Sequence, residues 1–233
     1  REPGKPQGRV IRILQRNTTH IVGTYETFGK DGWVIPTESK YFHDVFVPGK
    51  DRKGAKNGQI VHVEIETFPT RHKPPIGKVM EVLGSSNDPN VEIQSIFRKH
   101  GVRQSFSPEV LDEARDVGAE NPAESLKERK DFTKLLTFTI DGERAKDFDD
   151  AVSLERFEEG YRLGVHIADV SHFVRENSLL DQEAFDRATS IYYADGVIPM
   201  LPVSLSNEAC SLKPNQPRLT VSAIMDFDSK ANF

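Results

Sequence analysis

Four aspartates crowd into one ten-residue stretch: Asp141, Asp147, Asp149 and Asp150. Carboxylates packed this closely repel one another, and a folded site tolerates the repulsion when a divalent cation neutralises it. Hard oxygen donors suit Mg2+, with Mn2+ as an alternative. Magnesium keeps several waters and shares its shell with a substrate phosphate, the arrangement used in metal-assisted phosphodiester cleavage. Other acidic motifs fit less well. An EF-hand loop starting at Asp141 needs glycine at its sixth position and glutamate at its twelfth, where the chain has Lys146 and Val152. A phosphatase-type Asp-x-Asp nucleophile follows an apolar strand, whereas Arg144-Ala145-Lys146 precede Asp147. By spacing alone a solvated acidic loop remains open.

The flanking pattern places this segment at one end of a sheet. Leu136, Phe138 and Ile140 alternate with Thr137 and Thr139, which predicts a strand before it. Ala151–Leu154 and Tyr161–Ile167 read as paired strands around Glu159-Gly160. Ser178 is placed to cap a helix bearing Leu179, Leu180, Ala184, Phe185 and Ala188, and Thr220–Asp226 reads as a further strand. His166, on an alternating strand, reads as a hydrogen-bonded structural histidine. Asp169 reads as fixing the turn after that strand, and Cys210 as a small buried residue rather than a nucleophile.

The front of the chain reads differently. Short β-rich runs at 21–25, 33–35, 44–47, 60–65 and 78–83 are punctuated by Gly29-Lys30-Asp31-Gly32, Pro48-Gly49 and Lys56-Asn57-Gly58. Five short strands in so few residues predict a small closed barrel of OB type. Residues 8–14 echo residues 77–83, which suggests the last strand of an earlier barrel. Between barrel and acidic segment, Asp88-Pro89, Ser107-Pro108 and Asn121-Pro122 each open a predicted helix. Residues 1–80 carry 14 Lys and Arg against 8 Asp and Glu, and the remainder carries 17 against 28. The basic front can attract phosphates, and the acidic back can hold cations.

Composition removes several classes. No apolar run approaches the roughly 18 residues of a membrane helix, and the opening Arg1–Pro6 has no apolar signal region. A single cysteine rules out an internal disulfide, so no disulfide partner is expected, and a reducing cytoplasmic setting is the natural one.

The segment from Thr139 to Ala151 resembles the first catalytic motif of the ribonuclease II/R family. Val165–Ser171, Ile198–Pro202, Leu205-Ser206-Asn207 and Cys210-Ser211-Leu212 match that family in the same order. The resemblance implies Mg2+-dependent hydrolysis of single-stranded RNA from its 3′ end, releasing nucleoside 5′-monophosphates. It implies that Asp141, Asp147 and Asp150 position the metal. Asp149 would be the aspartate most needed for cleavage, holding the nucleophile in line rather than acting as a simple general base. It also implies that Tyr192 packs on the terminal nucleotides, with Tyr193 as the neighbouring candidate. That family's catalytic domain is much longer than the stretch present here. The chain is therefore expected to be a piece of a longer enzyme, weak or inactive alone. The competing reading is a non-enzymatic single-stranded RNA-binding module.

Trp33 and Phe46 lie in runs resembling the RNA-binding strands of cold-shock domains, with Tyr25 as a third aromatic and Lys30 and Lys40 as phosphate contacts. Asp31 and Pro48-Gly49 depart from that pattern, so weaker stacking is expected; as plain core residues, Trp33 and Phe46 would have no such role. The expected architecture is a cold-shock-like β-barrel, a helical linker and part of an α+β catalytic domain. Its bounds are 1–17 for the end of a preceding barrel, 18–84 for the barrel, 85–130 for the connector and 131–233 for the catalytic part.

Overall fold

The computed structural model describes residues 8, 11–16, 18–41, 43–119, 126–127, 129–143 and 145–233. Two compact units emerge, Arg1–Val102 and Arg103–Phe233.

The first unit is a closed barrel of five strands in the order β1-β2-β3-β5-β4. These are β1 His20–Phe28, β2 Asp31–Pro36, β3 Val45–Val47, β4 Gln59–Thr67 and β5 Ile76–Ser85. β3 and β5 pair in parallel and the other neighbours antiparallel. Alternation along the strands sends Ile21, Val34, Val45, Val47, Val61, Val63 and Val79 into the core. Helix α1, Pro89–Lys99, is capped by the Asp88 carboxylate accepting from the Asn90 amide at 2.9 Å. It lays Val91 over Val22 and Ile60 on the outer surface of the barrel. Residues 11–16 adopt no regular secondary structure. A strand without partners has nowhere to place its backbone hydrogen bonds.

The second unit is built on a four-stranded antiparallel sheet in the order β11-β8-β7-β6. Its strands are β6 Thr137–Phe138, β7 Asp150–Phe157, β8 Gly160–Ala168 and β11 Thr220–Asp228. β6 is two residues long where alternation predicts more. Helix α2, Pro108–Ala119, opens at the predicted Ser107-Pro108. A short helix α3, Val170–Phe173, follows β8, and α4, Leu179–Arg187, is capped by Ser178, whose hydroxyl accepts from the Asp181 amide. β9 Ile191–Tyr193 and β10 Gly196–Ile198 form a separate hairpin. Val110, Ala114, Ala168, Leu180, Leu205 and Cys210 make the core where α2 and α4 meet the end of β8. The helix expected from Asn121 lies outside the described residues. No helix among the described residues is long and apolar enough to cross a membrane.

Candidate functional site

The acidic segment is held by its backbone rather than by secondary structure. Asp150 opens β7 opposite Ile167, and the Asp149 carbonyl accepts from the Ala168 amide at 2.9 Å. One residue earlier, the Phe148 carbonyl accepts from the Leu212 amide at 2.9 Å, and the Phe148 amide donates to the Ser211 hydroxyl at 3.1 Å. That hydroxyl donates onward to the Lys146 carbonyl at 2.8 Å. The Cys210-Ser211-Leu212 turn thus grips the chain on both sides of Asp147. Cys210 itself is core, and burial lifts its thiol to about 11, as expected of a small packing residue.

Partial desolvation raises the Asp149 carboxyl above the ordinary carboxylate value, and the charges of Asp147, Asp150 and Asp141 add to it in that order. The four carboxylates therefore share one field. Asp147 also accepts a 2.9 Å hydrogen bond from the Tyr192 hydroxyl, which brings the β9 hairpin to the cluster. Tyr192 is 69% exposed, so its ring face is open to a ligand. Tyr193, the neighbouring candidate, is less exposed.

The donor set, carboxylates alone in mutual repulsion, fits a hard divalent cation. Among the described residues, no three His, Cys, Asp or Glu side chains converge closely enough to enclose an ion by themselves. Mg2+ retains several waters and needs few direct protein ligands.

Two supports around the site carry no periodic signature in the sequence. Arg129 donates to the buried Asp169 carboxylate at 2.5 Å and to the Thr220 carbonyl at 3.2 Å. Burial pushes the Asp169 carboxyl up, but the Ser171 hydroxyl and the Arg129 guanidinium outweigh it and hold the group below its usual value. The Asp169 carbonyl accepts from the His172 amide, so the aspartate does fix the turn after β8. Arg187 stacks on Phe106 at 3.8 Å and donates to the carbonyls of Arg103, Ser105 and Pro199. It anchors the base of the hairpin that carries Tyr192.

His166 is a structural histidine, as its strand predicts. Its two ring nitrogens lie 2.9 Å from the Ser153 hydroxyl and 2.8 Å from the Ser222 hydroxyl, and burial lowers its pKa. Gly164 makes room, since a Cβ there would stand 2.4 Å from the Ser153 hydroxyl.

On the barrel, Trp33 and Phe46 sit opposite each other on adjacent strands, edge to face with centroids 5.2 Å apart. Their neighbours Val34, Val45 and Val47 point inward, so the aromatic pair faces out and is half-buried. Tyr25 corrects the sequence reading. It is 0% exposed, packed in the barrel core with its hydroxyl unpartnered, and cannot stack on a base. Gly32 leaves the space its ring fills. Lys30 lines a surface depression with Lys50 and Arg52, two cations that no sequence motif marks. Asp31 in the same depression is occupied by the Gly49 amide at 2.8 Å. Lys40 pairs with Glu38 at 2.5 Å, which ties up its charge.

Comparison with known proteins follows these two regions. Residues 129–233 match the RNB domain family and residues 33–107 the cold shock domain family. A ribonuclease R of Thermotoga maritima is 46% identical over 97% of this chain, which spans 32% of that protein. The solved Mycoplasma genitalium RNase R in complex with ribose methylated single-stranded RNA superposes with a TM-score of 0.87 at 28% identity, over 97% of this chain and 37% of that one. Yeast Ssd1, a pseudonuclease, shares the fold at a TM-score of 0.71 and 24% identity, over 95% of this chain and 29% of that one. The chain thus spans about a third of the length of these relatives.

Proposed function

The chain belongs to the ribonuclease R family, and on that premise we propose that it carries the RNA-binding barrel and acidic centre of a 3′-5′ exoribonuclease acting on single-stranded RNA and releasing nucleoside 5′-monophosphates. The observation that carries the reading is the acidic segment clamped by its backbone at the start of β7, with Tyr192 joined to it through Asp147. Asp141, Asp147 and Asp150 would hold Mg2+ or Mn2+, which when bound supplies charge neutralisation and a more acidic water at the scissile phosphate. Asp149 would orient the attacking water in line with the phosphorus. The Tyr192 ring would stack on the terminal base while its hydroxyl holds Asp147. On the barrel, Trp33 and Phe46 would stack on upstream bases, and Lys30, Lys50 and Arg52 would meet phosphates. The buried, free Cys210 agrees with a reducing cytoplasm as the site of action.

A second reading is an RNA-binding module without cleavage, supported by the outward-facing Trp33–Phe46 pair on the barrel, which needs no metal to bind a base. RNA labelled at its 5′ end separates the two. A descending ladder that needs Mg2+ and disappears in Asp149→Asn supports the exonuclease. A band shift with no product, insensitive to Mg2+ and to that substitution, supports the module.

A further inference from the structure

We propose that Ser211 is a positioning residue for the acidic centre, setting the directions of Asp147 and Asp149 through the backbone between them. The inference rests on the catalytic reading above.

Among the described residues between β6 and β7, 139–143 and 145–149 have no strand ladder of their own. Their carboxylates can hold a fixed geometry only if the backbone is fixed by other means. Ser211 does this with one buried hydroxyl. It accepts from the Phe148 amide at 3.1 Å and donates to the Lys146 carbonyl at 2.8 Å, so both peptide groups flanking Asp147 end on the same oxygen. The next amide, Leu212, donates to the Phe148 carbonyl and completes the clamp immediately before Asp149. Ser211 is 0% exposed, so water cannot take over either bond when the hydroxyl is removed.

The clamp is itself anchored. Leu205, at 0% exposure, and Cys210, at 4%, seat the preceding turn in the core. Arg218 donates from Nε to the Ser211 carbonyl at 2.9 Å. A hydroxyl is required because the site needs one donor and one acceptor on a single small side chain. Alanine offers neither, and threonine adds a methyl where nothing is exposed.

The test compares Ser211→Ala with the unaltered chain in three readouts: Mn2+ affinity by electron paramagnetic resonance, hydrogen exchange of the Phe148 amide, and kcat and KM on single-stranded RNA where turnover is measurable. The expected result is faster Phe148 exchange and Mn2+ binding weakened about 10–100-fold. Where turnover is measurable, kcat falls by a similar factor at unchanged KM. A variant with unchanged Phe148 exchange and unchanged Mn2+ affinity overturns the proposal and leaves the catalytic reading standing. If the unaltered chain itself binds no Mn2+, the catalytic reading fails, and this inference with it. Should Ser211→Ala not fold, Arg218→Gln loosens the same turn from a half-buried position. It is expected to weaken Mn2+ binding in the same direction by a smaller factor, and unchanged affinity there counts against the proposal.

Discussion

The Tyr192 hydroxyl donates a 2.9 Å hydrogen bond to the Asp147 carboxylate across 45 residues of sequence. One side chain therefore offers an exposed ring to a ligand and a phenol to the acidic centre. Removing the hydroxyl alone separates the two roles. Tyr192→Phe is predicted to keep RNA affinity and lower kcat, whereas Tyr192→Ala also weakens RNA binding by about 1–3 kcal/mol. Fluorescence anisotropy of labelled RNA, set beside turnover, reads both terms.

Arg129 compensates a carboxylate that burial alone would penalise. Arg129→Ala leaves the buried Asp169 carboxylate with the Ser171 hydroxyl and the His172 amide but no countercharge, and a loss of roughly 2–3 kcal/mol follows. Because the folded Asp169 lies below its usual value, its stabilisation is full above about pH 4 and fades as pH falls through the folded pKa. Urea unfolding followed by circular dichroism should show that acid-dependent loss in the unaltered chain and less of it in the variant.

His166 gives a second pH dependence at a higher range. Burial between Ser153 and Ser222 lowers its folded pKa, so the unfolded chain takes up a proton that the fold resists. Stability is full above the unfolded value of about 6.5 and declines as pH falls below it. His166→Gln should flatten the pH dependence of the unfolding midpoint below about pH 6.5; an unchanged slope would place that titration elsewhere.

Barrel strands were legible because alternation sorts inward valines from outward polar residues. The same alternation puts Tyr25 inside with Ile21, each two positions from Gly23, and outweighs its nearness to a basic turn. The acidic centre was legible in residue type and order. The roles of its supports were not. The segment holding Ser211 belongs to the family resemblance, but the bonds that Ser211, Arg129 and Arg187 make to distant segments leave no period to detect. Lys50 and Arg52 were missed because the turn after β3 joins Lys30 only in three dimensions.

Tyr25→Phe removes an unpartnered buried hydroxyl and should leave RNA affinity unchanged, with stability equal or up to about 1 kcal/mol higher. Trp33→Ala should weaken RNA binding by about 1–3 kcal/mol, and Arg52→Gln should reduce the salt dependence of binding by about one phosphate contact. Anisotropy titrations at several salt concentrations decide among them.

Whether the acidic segment holds a metal is read by nuclear magnetic resonance of this chain during titration with Mn2+, which broadens signals near a bound ion. The amides of Asp147, Phe148, Asp149, Asp150 and Tyr192 are expected to disappear first, and Asp147→Asn to blunt the effect. Uniform broadening, or loss centred on another acidic patch such as Glu155 to Glu159, would contradict a metal at the acidic segment.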